Sequence, residues 1–264
     1  LKKRGQISDP QLLSLAAEKL REEQWSPEQI SGWLAREGHG SLSHETIYAM
    51  VYRDQKSGGD LHHFLRHPAK SYRDRSAGKE RRGRIKNQVM IDQRPPIVEE
   101  RTRVGDWEMD TVIGRTGGPV LVTMVERRSR FTLIRLVPSK EAIVVTAAIL
   151  EATRPYRDRV LSHTYDNGKE FAMHELLTDI MGAQAYFAHP YHSWERGLNE
   201  NTNGLLRQYF PKGTDLSAHG PEDLEAVAAE LDSRPRETPG WRTPAGALDD
   251  VWRRGETAGV ATTG

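Results

Sequence analysis

The sequence predicts an α/β protein in which a mixed five-stranded sheet is flanked by helices and preceded by a small all-α domain. Three observations carry that expectation. Helix-start signals followed by apolar residues at helical spacing recur three times before residue 65. A strongly basic stretch then interrupts the pattern. Beyond Gly105, runs rich in β-branched and aromatic residues come first as a group of three and then alternate with helical patterns.

The first helix is expected to start in Ser8-Asp9-Pro10-Gln11, with Ser8 as N-cap, Gln11 at the capping-box position, and Leu12, Leu15, Ala16 and Leu20 at helical spacing. Trp25-Ser26-Pro27-Glu28-Gln29-Ile30 repeats the logic: Ser26 caps, Pro27 suits the first turn, Gln29 completes the box, and Ile30, Trp33 and Leu34 form the buried stripe. After Gly38-His39-Gly40 a third helix starts at Ser43, with Ile47, Met50 and Val51 as its apolar face. Three short helices with a glycine-containing connection make a helix-turn-helix candidate. Its third helix would read a DNA groove through Ser43, His44, Glu45, Thr46 and Tyr48. The alternative is an ordinary three-helix bundle whose capping residues only cap.

From Arg66 to Lys86 nine basic residues outnumber two acids by seven, although the whole chain carries a net charge of only +1. Arg73, Arg75, Lys79, Arg81, Arg82, Arg84 and Lys86, with Gly78 and Gly83 among them, are expected to track phosphates; a solvated basic linker is the competing reading. The expected organisation is a helix-turn-helix domain at 1–65, a basic linker at 66–100, an α/β domain at 101–254 and a disordered tail at 255–264.

Within the α/β part, residues 107–114, 120–127 and 130–137 read as an antiparallel meander, separated by Gly117-Gly118-Pro119 and Arg128-Ser129. A helix is expected at 140–151, although Val144-Val145-Thr146 weakens it, then a strand at 160–165, a helix at 170–181 and a strand at 183–188. The helix at about 196–210 is stopped by Pro211 and Gly213. One more helix, 221–231, carries Leu224, Val227, Ala228 and Leu231 as its stripe.

Length and composition restrict the function classes. At 264 residues the chain can bury a sizeable core. With 36% hydrophobic and 28% charged residues and a mean hydropathy of -0.69, its longest apolar runs, 119–125 and 142–150, are too short to span a bilayer. No apolar segment follows Leu1-Lys2-Lys3-Arg4, as a signal peptide would require. Zero cysteines exclude a disulfide framework, a thiolate nucleophile and cysteine zinc sites. A soluble, cytoplasmic protein with no membrane partner and no small-molecule cofactor is expected.

Three acids stand out. Asp110 sits in the first expected strand, where an interior aspartate is disfavoured unless something uses it; Glu108, two residues earlier, shares its face and would either assist it or serve as the solvent-side partner of a basic residue. Asp166 follows the fourth strand and opens Asp166-Asn167-Gly168, which alone is most often a turn. Glu200, after 33 intervening residues (167–199), shares a helix face with Asn203 and Arg207, and alone reads as part of a solvated face. The strand order expected here would bring all three to one place. Crowded carboxylates raise each other's pKa unless a cation neutralises them, so the cluster implies a metal, and divalent ions of the magnesium class take oxygen ligands. Asn167, Lys169, Arg196, Asn199, Asn203, Arg207 and Lys212 would then support the acids or contact phosphates.

These residues resemble the Asp-Asp-Glu transposases with a ribonuclease H-like core, and more narrowly the insertion sequence 30 family. The resemblance rests on Gly105-Asp106-Trp107-Glu108-Met109-Asp110, on Asp166-Asn167-Gly168-Lys169-Glu170-Phe171, and above all on the block from His189 to Asp215 with Trp194-Glu195-Arg196-Gly197-Leu198-Asn199-Glu200-Asn201 within it. It extends from about Gln24 to Val251. It implies the triad Asp110, Asp166 and Glu200, the family's spacing selecting Glu200 over the rival Glu195. Two departures are visible: Met109 replaces a small residue, and the chain starts after the place of a further N-terminal helix-turn-helix that binds element ends in family members.

The resemblance further implies a bacterial, nucleoid-associated enzyme holding two Mg²⁺ ions, with Mn²⁺ substituting, on Asp110, Asp166 and Glu200. It would cut transposon ends and join the freed 3′-hydroxyl to target DNA, as a homodimer or higher oligomer. The competing expectation is a truncated, non-catalytic DNA-binding derivative acting as a regulator or inhibitor. A ribonuclease H acting on RNA hybrids shares the fold but would not need the N-terminal helical region.

Overall fold

The computed structural model describes residues 9–65, 85–190 and 192–253. The chain forms two compact units, one of residues 1–78 with 234–243 and one of residues 79–233 with 244–264.

The first unit begins with α1 (Pro10–Glu22), α2 (Pro27–Arg36) and α3 (His44–Lys56). The cap of α1 is Asp9, whose Oδ1 accepts from the Gln11 N–H at 2.9 Å, while Ser8 lies outside the described residues. Pro10 has no N–H to satisfy, so an early orphan donor is that of Gln11, within reach of a carboxylate two residues back. At α2 the capping box forms in full: Gln29 N–H donates to Ser26 Oγ at 3.4 Å and Ser26 N–H to Gln29 Oε1 at 3.0 Å. Ser43 Oγ accepts from the Thr46 N–H at 3.3 Å and starts α3. Ala16, Leu20, Trp25, Ile30, Leu34, Ile47 and Val51 make the core of this unit, with Trp33 and Met50 only partly covered.

A later segment completes it. Gln29 Nε2 donates to Pro235 O at 2.7 Å, and the Trp241 indole lies so close over Gly32 that a Cβ there would stand 2.0 Å from the ring. The sequence alone assigns residues 234–243 to the α/β domain; their anchorage on α2 groups them with the helices instead.

The second unit opens with α4 (Pro96–Glu100). Its sheet has β1 (Asp106–Ile113), β2 (Val120–Glu126) and β3 (Thr132–Val137) as an antiparallel meander, with β4 (Ser162–Tyr165) and β5 (Gln184–Phe187) added in parallel on the far side of β1. The order is β3-β2-β1-β4-β5, the mixed ribonuclease H-like sheet that the sequence predicts. Around it lie α5 (Ala142–Thr153), α6 (His174–Met181), α7 (Gly197–Tyr209), α8 (Pro221–Ser233) and α9 (Pro244–Arg253).

Strand alternation sorts β1 between two cores. Trp107 and Met109 pack with Val122, Met124, Val145, Ile149, Tyr165 and Phe187, whereas Val112 packs with Leu121, Ile134, Leu205, Leu206, Phe210 and Leu224. Glu108 and Asp110 share the parity of Val112, so they face the side covered by α7 and α8. Val145, Thr146 and Ile149 are buried, which is why α5 forms despite its β-branched run: packing overrides a weak intrinsic preference.

Several expectations need correction. Residues 170–181 form a 3-10 turn at Lys169–Phe171, with Glu170 and Phe171 both buried, and then α6 rather than one helix. The helix α9 has no counterpart in the sequence-based expectation. Residues 85–100, which read as the end of a linker, are ordered against the sheet: Ile85 and Val98 are buried, and the Phe187 N–H donates to Val89 O at 2.9 Å. Of the seven cations expected to track phosphates only Lys86 is described, and it is exposed; Arg73, Arg75, Lys79, Arg81, Arg82, Arg84 and the tail 255–264 lie outside the described residues. No helix among the described residues is long and apolar enough to cross a membrane.

Candidate active site

The register of the sheet determines which acids meet. β1 and β4 run parallel with Glu108 opposite Thr164, so two further residues along each chain bring Asp110 and Asp166 to one level. Arg196 spans them: its Nη1 stands 3.4 Å from Asp110 Oδ2 and its Nη2 3.7 Å from Asp166 Oδ2. The Asp110 side chain is 14% exposed, and its partial burial pushes the carboxyl above the usual carboxylate range; the Arg196 guanidinium opposes this and the Asp166 charge adds to it. Asn203 Nδ2 donates to Asp110 Oδ2 at 2.9 Å and the Thr111 N–H to Oδ1 at 2.8 Å, so the carboxylate is held in orientation from both sides.

Asp166 is oriented by its own turn. The Gly168 N–H donates to Asp166 Oδ1 at 2.8 Å, and a Cβ at Gly168 would stand 2.4 Å from Glu170 Oε2 and 2.8 Å from Asp166 Oδ1, so only glycine fits between the two carboxylates. Glu170 has partners of its own in Lys140 and the Thr111 hydroxyl. Burial alone would raise its pKa, but Lys140 and the Thr111 hydroxyl hold it below the ordinary value.

Glu200 lies in the first turn of α7 and is exposed. At 100° per residue it projects within about 60° of Asn203 and about 20° of Arg207, and both of these reach β1, Asn203 at Asp110 and Arg207 Nη2 at Ile113 O, 2.8 Å away. Glu200 thus emerges on the β1-facing flank without closing on the two aspartates. Among the described residues, the one group of three ligand-bearing side chains whose ligand atoms all lie within 4.8 Å of one another is His189, His192 and Glu195.

The supporting residues divide by what they touch. Asn199 is buried and ties α7 to β1 twice, its N–H donating to Glu108 Oε2 and its Nδ2 to Met109 O, both at 3.3 Å. Asn167 bridges loops instead, donating from Nδ2 to Ala188 O at 2.6 Å and accepting from Gln88 Nε2 at 2.9 Å. Arg207 spends its guanidinium on the carbonyls of Ile113 and Phe210, and burial lowers its pKa. Lys169 and Lys212 are exposed. Met109, the larger residue preceding Asp110, is accommodated by the opposite core, being fully buried there.

Glu108 is not a solvent-side partner. It is 1% exposed and forms an ion pair with Arg127, itself 2% exposed, whose Nη2 also reaches Glu99 Oε2 at 3.0 Å and whose Nε donates to Val98 O at 3.2 Å. Arg94 joins the same network through Glu99 and by donating to Thr164 Oγ1 at 2.8 Å; burial, with Arg127 nearby, lowers its pKa to about 10. This network ties α4, β1, β4 and the turn after β2 together.

In the first unit, the expected DNA-reading residues also serve the fold. Ser43 caps, Thr46 receives that cap, His44 Nε2 stands 3.2 Å from Glu45 Oε1, and Tyr48 donates to Glu28 Oε1 at 3.1 Å. Tyr52, 52% exposed, stacks on Tyr48 with ring centroids 6.3 Å apart, so α3 carries an aromatic pair of which the expected groove-reading set includes only Tyr48.

Residues 101–193 match the family profile described as integrase core domain. The chain is 43% identical over 226 residues to the transposase for insertion sequence element IS4351 of Bacteroides fragilis, covering 86% of this chain and 69% of that protein. It is 38% identical to the transposase for insertion sequence element IS1086 of Cupriavidus metallidurans, covering 87% of this chain and 70% of that protein. The transposase InsI for insertion sequence element IS30A of Escherichia coli is 38% identical, over 88% of this chain and 63% of that protein. Among solved structures, the catalytic core domain of BIV integrase aligns over 58% of this chain and 99% of its own length, with a TM-score of 0.43 and 22% identity.

Proposed function

The chain belongs to the insertion sequence 30 family of transposases, and from that premise we propose that it cuts and joins DNA at a metal-dependent site formed by Asp110, Asp166 and Glu200. The observation that carries this reading is the partly buried Asp110 carboxylate, raised in pKa, level with Asp166 and beneath the α7 flank that bears Glu200. Two neighbouring acids, with side chains 14% and 34% exposed, are costly to hold together unless a cation balances them.

The residues suit a hard divalent ion. The donors are carboxylate oxygens, and the buried Asn203 Oδ1, beside Asp110, has no protein partner. Asp110, Asp166 and Glu200 would hold two ions of the magnesium class, which when bound lower the pKa of an attacking water or 3′-hydroxyl and stabilise the leaving oxygen. Arg196 balances the two aspartates and, displaced from them, is placed to meet a phosphate oxygen. Asn203 and the Thr111 N–H keep Asp110 in orientation, and Asn199 with Glu108 keeps α7 in register with β1. Exposed Lys169 and Lys212, with the basic stretch 66–86, supply the charge that a DNA backbone requires. α3 contributes groove contacts from its exposed face, and assembly on DNA as a dimer or larger oligomer would present two ends together.

The test is cleavage and joining of labelled element ends in Mg²⁺ or Mn²⁺. The wild type should produce nicked and joined products, while Asp110→Asn and Asp166→Asn should bind the same DNA and produce neither. Cleavage retained by either variant overturns the assignment. DNA binding without cleavage by the wild type would favour the non-catalytic regulator instead.

A further inference from the structure

The segment that leads into α7 carries a group of side chains that the acids do not use. His189 follows β5, and Glu195 lies in the 3-10 turn Ser193–Arg196. The Nδ1 atoms of His189 and His192 converge on one oxygen, Glu195 Oε1, each at 3.0 Å. The other oxygen, Oε2, accepts from the His189 N–H at 2.7 Å, which fixes the carboxylate plane. On its far side His189 Nε2 stands 2.9 Å from Asp92 Oδ2.

This arrangement constrains the imidazole. With its Nε2 proton given to Asp92, neutral His189 turns an Nδ1 lone pair toward a carboxylate lone pair, a contact that needs a proton or a metal cation between them. The same oxygen also faces the second imidazole. Two imidazole nitrogens and one carboxylate oxygen around a point, with a carboxylate behind one imidazole, is the donor set and supporting contact of a zinc-type site. The spacing fits as well: ligands about 2.0–2.1 Å from a tetrahedral ion stand roughly 3.3 Å apart, and these ligand atoms all lie within 4.8 Å of one another, two pairs at 3.0 Å.

We propose that His189, His192 and Glu195 bind one divalent transition-metal ion of the zinc class, with Asp92 orienting His189. The site differs in chemistry from the carboxylate site of Asp110 and Asp166, because imidazole nitrogen favours zinc over magnesium. A bound ion would join the end of β5 to the turn before α7, one residue from Arg196. Metal occupancy would therefore stiffen the approach to the acids without contacting them. The site stands independently of the proposed DNA chemistry.

The test uses the full chain, freed of metal by chelation, titrated with Zn²⁺ against a chromophoric chelator in excess Mg²⁺. One Zn²⁺ per chain should bind, and Co²⁺ in its place should give visible absorption bands of nitrogen and oxygen coordination. His192→Ala and Glu195→Gln should each weaken binding at least tenfold, and Asp92→Asn about 10- to 100-fold. His219→Ala, outside the group and beside Asp223, should leave it unchanged. His192 is 43% exposed, so its truncation should leave the circular dichroism spectrum intact, and Glu195→Gln provides a second, nearly isosteric variant. Zn²⁺ uptake no greater than that of a His189→Ala/His192→Ala double variant, or equal affinity in the wild type and Glu195→Gln, overturns the proposal.

Discussion

Arg127→Met should be among the most damaging substitutions in the second unit. The guanidinium is 2% exposed and faces Glu108, 1% exposed, so its removal leaves a carboxylate in the protein interior with no counter-charge at that oxygen. Breaking a buried pair from one side costs about 3–5 kcal/mol, and the Val98 carbonyl loses its donor as well. Glu99 is 59% exposed and can turn to water, so it should add little. The cost should fall largely away in Arg127→Met/Glu108→Leu, where both charges go and apolar atoms fill the space. Urea unfolding followed by tryptophan fluorescence measures both, since Trp107 is buried beside Glu108. A loss below about 1 kcal/mol in the single variant, or an equal loss in the double variant, would show that the pair is not what ties α4 and the turn after β2 to β1. The double variant should also cleave DNA more weakly than its stability suggests, because Glu108 no longer receives the Asn199 N–H of α7.

Other contacts lead to predictions of their own. His163 is buried against the Tyr165 hydroxyl at 2.9 Å, and burial lowers its pKa from 6.5 to about 4. The unfolded chain therefore binds a proton that the fold refuses between those values, so stability should fall by about 3 kcal/mol as pH drops from 6.5 to 4; His163→Gln should flatten that slope in urea titrations across the range, and an unchanged slope would refute the assignment. Gly32→Ala normally stabilises a helix by about 0.5–1 kcal/mol, but here the Trp241 ring occupies the space, so the melting temperature should drop, with about 1–3 kcal/mol lost to overpacking. Asp110→Asn and Glu200→Gln should both abolish cleavage yet part company in stability. Burial disfavours the charged form of Asp110, so its amide should melt at or above the wild-type temperature, whereas exposed Glu200 should change stability by no more than about 0.5 kcal/mol.

Much of this fold follows from local patterns. The caps at Ser26 and Ser43 need only a short polar side chain before an apolar stripe, Asp9 does the same one residue beyond the expected Ser8, and the meander needs only three β-rich runs with turn residues between them. Strand parity alone puts Asp110 on the α7 side of the sheet, and its register with β4 puts it level with Asp166. What the sequence conceals depends on partners far along the chain. Glu108 reads as a surface acid until Arg127, 19 residues on, is found folded back over it from the turn that follows β2. Residues 85–100 read as linker because they follow the basic stretch without a helical or strand pattern, yet Ile85 and Met90 join the core around Trp107 and Val98 is buried. Glu195 reads only as a rival acid, although His189 and His192, at spacings of six and three before it, are a signal visible in the same block.

The glycine beneath Trp241 has a bearing on how the protein comes apart. The helical unit is assembled from two stretches of chain separated by more than 150 residues, and the later stretch supplies both a ring against α2 and an acceptor for Gln29. A protease that nicks the basic stretch between 66 and 84 would sever the chain without freeing its amino-terminal portion. The two products should leave a sizing column together and separate only in denaturant. By the same logic, an excised fragment of the first 78 residues would present an uncovered indole-shaped notch on α2, and material made that way would report on a surface that the intact chain never shows.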